Sequence, residues 1–165
     1  MKFHHFTSSF LILILLVSCS ISNEPDETSS LPRVIAAESF LADITKNIAG
    51  DRLEVDTLIP PGVDPHSFQP TPADVAKINR SQVLVINGAG LEEFLDDLLE
   101  NTSENAIIVE ASTGLEPRTP DESEDLDHAI DPHFWLDPNH GIVYVENIRD
   151  GLISADPQGE GVYTE

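Results

Sequence analysis

The sequence predicts an α/β fold, a doubly wound parallel sheet with helices on both faces. Short runs of branched apolar residues recur along the chain, and segments with apolar residues at helical spacing separate them. Repeated strand–helix units of this kind pair as parallel strands with right-handed crossovers. Arg33-Val34-Ile35-Ala36-Ala37 reads as the first buried strand. Ser39 stands where a cap for the next helix belongs, Phe40, Leu41, Ile44 and Ile48 then recur at helical spacing, and Gly50 ends the helix. Leu53 to Ile59 alternates enough for a second strand, and Pro60-Pro61-Gly62 closes it. Thr71-Pro72-Ala73-Asp74 is a helix start, with Thr71 as N-cap, Pro72 in the first turn and Asp74 positioned for a capping box. Val75, Ala76 and Ile78 are expected to face inward. Val83-Leu84-Val85-Ile86 is a continuous branched run and the clearest buried strand. Asn87-Gly88-Ala89-Gly90 turns the chain into an amphipathic segment bearing Leu91, Phe94, Leu95, Leu98 and Leu99. Ala106 to Val109 is the fourth strand. A last helix is expected from about Asn139 to Ser154, with Ile142, Val145, Ile148 and Leu152 on its inner face.

Two segments interrupt this pattern and carry chemistry: Gly62-Val63-Asp64-Pro65-His66-Ser67-Phe68 and Asp131-Pro132-His133-Phe134-Trp135-Leu136-Asp137-Pro138. Each places a histidine directly after Asp-Pro. Proline holds its own φ and pushes the residue before it towards extended backbone, so each imidazole is presented from a stiff chain. Stiffness suits a metal ligand, whose nitrogen must stand about 2.0–2.1 Å from a zinc ion. Ligands of doubly wound sheets bind beyond the carboxyl ends of the strands. His66 follows the second strand and His133 the fourth, so both are expected at that edge, as half of a transition-metal site. Imidazoles coordinate only when neutral, so affinity should fall as pH drops below about 6.5.

The N-terminus points outside the cytoplasm. Lys2 precedes the apolar run Phe10 to Val17, which is shorter than the ~20 residues of a membrane span and reads as the core of a secretory signal. Leu16-Val17-Ser18-Cys19 resembles a bacterial lipoprotein cleavage box, and that resemblance implies removal of residues 1–18 and lipidation of Cys19. Cys19 is the only cysteine, which excludes an intrachain disulfide and a cysteine-based zinc site. Residues 19–31 are polar and acidic and read as a flexible tether, with residues 32–165 as the folded lobe. A net charge of −22 on 165 residues excludes nucleic acid, which demands clustered Lys and Arg. It also opposes docking on anionic lipid and draws cations to the surface.

Together these segments resemble the metal-binding solute-binding proteins of ABC transporters for zinc and manganese, solute-binding family 9. The resemblance rests on Asp64-Pro65-His66 through Thr71-Pro72-Ala73-Asp74, on Val83 through Glu92, and on Asp131 through Pro138, and it extends over roughly Pro32 to Tyr163. It implies two α/β lobes joined by a long helix, with the metal held between them. His66 and His133 would be the ligands from the first lobe. The chain stops at Glu165, about where the connecting helix would begin, so the first lobe is expected with the second lobe and its carboxylate or histidine ligands absent. The implied activity is capture of Zn²⁺ or Mn²⁺, zinc ahead of manganese, by a lipid-anchored extracytoplasmic receptor that serves an ABC permease and its ATPase. The alternatives are a surface adhesin or interaction lipoprotein, and a truncated remnant that binds nothing.

Other residues near these motifs have their own readings. Glu116 to Asp131 is acidic and includes His128, which reads either as a solvated loop or as an accessory that collects cations. Asp137, with Pro138 and Asn139, reads as the cap of the last helix, or as an acceptor for a histidine N–H and so accessory to the metal. Trp135 reads as packing for the His133 loop, and His140 as a surface residue. His4 and His5 fall in the signal segment. An enzyme is not expected: the chain has no His-Glu-x-x-His, no Gly-x-Ser-x-Gly, no phosphate loop and no cysteine nucleophile in the lobe.

Overall fold

A computed structural model describes residues 31–99, 106–117 and 131–165. Residues 1–30, on which the expected signal, Cys19 and all but the last residue of the expected tether fall, and His128 lie outside the described residues.

Four strands form one parallel sheet: β1 (Val34–Ala36), β2 (Val55–Thr57), β3 (Val83–Ile86) and β4 (Ile107–Glu110), in the order β2-β1-β3-β4. Val34 pairs with Val55 on one side and Val83 on the other, and Val83 pairs with Ile107. The two strands with unbroken apolar runs, β1 and β3, are central and buried throughout. The strands that carry charge, Asp56 in β2 and Glu110 in β4, lie at the edges with those side chains exposed. A strand covered on both faces tolerates no charge, so composition dictated position in the sheet.

Alternation along the strands divides the core in two. Val34, Ala36, Val83, Val85 and Val109 pack under α1 (Ser39–Ala49) and α4 (Pro138–Ala155). Ile35, Ala37, Leu84 and Ile86 face the other way and meet Ile78 of α2 (Pro72–Ile78) and Leu95. Leu95 belongs to a 3-10 turn, Glu93–Leu95, that runs into the short α3 (Asp96–Leu99). This is the doubly wound α/β arrangement that the strand–helix pattern predicts.

Several local expectations hold and several shift. Thr71 and Asp74 form the capping box: Asp74 N donates to Thr71 Oγ1 at 3.4 Å and Thr71 N donates to the Asp74 carboxylate at 2.9 Å. The Thr71 hydroxyl, which donates to Asp74 Oδ2 at 2.7 Å, and then the Thr71 N–H hold the Asp74 carboxyl below its ordinary range. In α2 only Ile78 is buried, while Val75 and Ala76 are half-covered. Ser39 is not the cap of α1. Glu38 occupies the N-cap position without a capping bond, and Ser39 is the first helical residue. Gly50 ends α1 at φ +55, as a C-terminal glycine does.

The inner face of α4 is turned from the expected one. Tyr144, Ile148 and Leu152 are buried at spacing four, whereas Ile142 and Val145 are 63% and 42% exposed. Tyr144 takes the inward row because its ring fills the core while its hydroxyl finds a buried acceptor, a combination hydropathy does not register. Below it, Gly151 lies against β4, and a Cβ there would stand 2.3 Å from Val109 Cγ2. Alanine normally gains about 1 kcal/mol over glycine inside a helix, but overpacking costs about 1–3 kcal/mol. So severe an overlap takes the upper end of that cost, and Gly151→Ala is expected to lower unfolding stability by about 2 kcal/mol in denaturant titration. A variant as stable as wild type would show that α4 is free to move off the sheet.

The end of α4 is fastened to the rest of the lobe by Asp156. Arg52 donates two hydrogen bonds to its carboxylate and Tyr163 a third at 2.6 Å. The Arg52 guanidinium first, and then the Tyr163 hydroxyl, hold Asp156 below the usual carboxylate range. Burial, followed by that hydrogen bond, pushes Tyr163 up to about 12. No helix among the described residues is long and apolar enough to cross a membrane.

Candidate metal centre

Both histidine loops leave the carboxyl edge of the sheet, one after β2 and one after β4. In each, the aspartate of Asp-Pro-His folds back on its own chain. Asp64 Oδ1 accepts from His66 N at 3.1 Å, and Asp131 Oδ1 accepts from His133 N at 3.1 Å. This is the local turn that Asp favours, with the intervening proline setting φ. Two stretches 67 residues apart thus make the same aspartate-to-histidine bond from the same three residue types, although His66 lies within the 3-10 turn Pro65–Ser67 and His133 precedes the one at Phe134–Leu136.

The loops bring the rings together. His66 Nε2 and His133 Nε2 stand 3.4 Å apart, with ring centroids 5.5 Å apart and planes tilted by 48°. Two nitrogens at about 2.0–2.1 Å from one ion, subtending a tetrahedral angle, would be separated by about 3.3–3.4 Å. The geometry therefore fits a shared cation. Facing lone pairs repel unless a proton or a cation lies between them.

His133 is held by more than its backbone. Asp131 Oδ1 lies 2.8 Å from His133 Nδ1. A carboxylate only accepts, so Nδ1 carries the proton and Nε2 keeps its lone pair for coordination. Trp135 lies 5.0 Å from the His133 ring and stacks on Phe40 at 4.5 Å and 20°. This is the packing role expected of it. The His133 side chain remains 40% exposed, so the coordinating edge is open to solvent and to further ligands.

The other candidates separate. Asp137 caps α4: its Oδ1 accepts from Asn139 N at 2.9 Å and Nδ2 at 2.8 Å, and the backbone bond foremost holds its carboxyl below the usual range. The acceptor for a histidine N–H is Asp131, not Asp137. The repeated Asp-Pro-His spacing was the available sign, since it sets each aspartate two residues from its own histidine. His140 is half-buried, with Nδ1 3.1 Å from the Phe134 carbonyl. Among the described residues no group of three or more His, Cys, Asp or Glu is arranged for a metal, so the two imidazoles stand as a pair.

Directly beneath lies a buried polar cluster that the sequence reading missed. The sheet order reverses between β1 and β3, and the residues just beyond those strands are Glu38 and Asn87. Glu38 is 4% exposed, Asn87 0%, Glu92 5% and Tyr144 0%. Glu92 accepts from Asn87 N at 2.5 Å and Gly88 N at 3.1 Å. Gly88, at φ +79 and tight against Glu110, permits the turn that aims both N–H groups at that carboxylate. Glu38 faces Glu92, yet neither of its oxygens closes a hydrogen bond of normal geometry. Burial first, and then the Glu92 charge, pushes Glu38 up to about 9, and burial also raises Glu92. The backbone bonds favour charge on Glu92, so Glu38 is the member that keeps a proton. Burial raises the Tyr144 hydroxyl as well, with both glutamates adding to it.

Known proteins are similar to this chain in sequence and in fold. The family model described as zinc-uptake complex component A, periplasmic, matches residues 34–165. The manganese-binding lipoprotein MntA of Halalkalibacterium halodurans is 37% identical over 159 residues, which span 94% of this chain and 51% of that protein. The manganese ABC transporter substrate-binding lipoprotein PsaA of Streptococcus pneumoniae is 36% identical over 158 residues, or 92% and 51% of the two chains. Among solved structures, a Mn-bound periplasmic metal-binding protein from Candidatus Liberibacter asiaticus superposes with a TM-score of 0.73 at 34% identity, over 81% of this chain and 49% of that one. The chain spans about half the length of the curated relatives it matches.

Proposed function

This chain belongs to the family described as zinc-uptake complex component A, periplasmic, and on that premise we propose that it is the first lobe of a lipid-anchored extracytoplasmic metal receptor. The lobe contributes His66 and His133 to a divalent transition-metal site and serves an ABC permease and its ATPase. The ion is cargo, and no chemistry is performed on it. The observation that carries this reading is the 3.4 Å approach of the two Nε2 atoms, with His133 fixed in the coordinating tautomer by Asp131.

Two imidazoles leave a tetrahedral ion two ligands short. The relatives are about twice as long as this chain, and in this reading their second half corresponds to the lobe that completes the coordination shell. Zinc was expected ahead of manganese because imidazole suits zinc. The names of the relatives lend that order no support, since they specify manganese. Carboxylates added from a second lobe would suit manganese equally well.

Calorimetric competition between Mn²⁺ and Zn²⁺, run on residues 32–165 and on the full-length gene product, tests the proposal. Tight 1:1 binding is expected for the full-length product, with much weaker binding to residues 32–165. Absence of binding to both would overturn the receptor reading and favour the interaction lipoprotein.

A further inference from the structure

The Asn87 side chain hydrogen-bonds to both the buried cluster and the His133 loop. It is fully buried at the carboxyl end of β3. Its Nδ2 donates to the Pro132 carbonyl at 3.0 Å and to the Gly88 carbonyl at 2.9 Å, and its Oδ1 accepts from the Tyr144 hydroxyl. Its backbone N–H is taken by Glu92. The side-chain amide thus has both hydrogens and its oxygen engaged, and it cannot flip without breaking three bonds at once. Pro132 is buried and immediately precedes His133.

We propose that Asn87 is the positioning residue of the metal centre: braced by Tyr144 and Glu92, it grips the Pro132 carbonyl and so sets where the His133 imidazole stands. The proposal rests on the reading of His133 as a metal ligand. Asp131 fixes the rotation and tautomer of the ring, whereas Asn87 fixes the height of the whole loop above the sheet. The two controls are separate, because one acts on the side chain and the other on the backbone. Buried networks of this kind specify one arrangement when every member is satisfied. The brace also ties the residue before His133 to the loop after β3 and to the first turns of α4. The brace is built from Asn87, Gly88, Glu92, Pro132 and Tyr144, and His66 stands on a different loop, the one after β2.

The test is made in the full-length gene product with Mn²⁺ and, separately, Zn²⁺ as probes. Tyr144→Phe keeps the ring and deletes only the hydroxyl. Asn87→Ala deletes the amide. Outer partners of a metal ligand are worth about 10–100-fold in affinity. Asn87→Ala is expected to weaken Kd by that range, and Tyr144→Phe by severalfold. In the apo protein, imidazole NMR resonances of His133 should move while those of His66 stay in place. Ile148→Val, on the same helix but outside the network, should lower Tm and leave Kd and both histidine spectra unchanged. If Asn87→Ala does not fold, Tyr144→Phe decides alone. The proposal is overturned if these variants leave Kd and the His133 resonances at wild-type values while His133→Ala abolishes binding, an outcome that leaves the metal site intact. If His133→Ala itself leaves Kd unchanged, the metal-ligand reading fails and this inference fails with it.

Discussion

His133→Ala in the full-length gene product is expected to weaken Mn²⁺ or Zn²⁺ binding by more than about 100-fold. That exceeds the 10–100-fold attributed to an outer-shell partner, because a direct donor is lost. His66→Ala should match it, since the two Nε2 atoms, 3.4 Å apart, are spaced to hold one ion between them. Asp131→Ala separates donor from orienter: His133 remains but loses the acceptor that keeps its proton on Nδ1, so the loss should fall within the 10–100-fold range. Competition calorimetry on the three variants reads all of this. A His133→Ala protein with wild-type affinity would remove this histidine from the site, whatever the family resemblance.

Glu38→Gln is expected to stabilise the lobe at neutral and alkaline pH, by on the order of 3 kcal/mol at pH 7. The sign follows from linkage. Glu38 is raised from 4.5 unfolded to about 9 folded, so between those values the folded chain binds more protons than the unfolded one. Stability conferred by the neutral carboxyl is fully present below the unfolded value and is lost progressively as pH rises towards 9. One unit is worth about 1.4 kcal/mol, and the interval from 4.5 to 7 sets the size of the gain. Glutamine has the shape of the protonated acid, cannot ionise, and offers Glu92 an N–H. Its Tm should depend less on pH between 5 and 9 than that of wild type, with the curves converging near pH 4. Parallel Tm curves across that interval would mean that Glu38 is not the proton-bearing member of the pair.

What was legible in the sequence was what is written locally. The fully apolar runs at β1 and β3 announced central strands. Thr71-Pro72-Ala73-Asp74 contained its own capping geometry, and Asp-Pro-His set each histidine on a stiff turn. Even the meeting of His66 and His133 followed from local facts plus one topological rule, that ligands gather beyond the carboxyl ends of parallel strands. The family, too, was legible, because its marks are short contiguous motifs.

What tertiary structure decided were the choices between local equals. Ile142 and Val145 were as apolar as Ile148, but α4 is phased by Tyr144, whose hydroxyl needs the Asn87 oxygen just beyond the end of β3. Asp131 and Asp137 both flank the second motif, yet one faces an imidazole and the other caps a helix. Glu38 and Glu92 look like surface carboxylates in the chain and are buried together only because the sheet reverses between β1 and β3. Sequence patterns record which groups prefer water. They do not record which polar groups will find each other once water is gone, because that depends on distances between strands far apart in the chain.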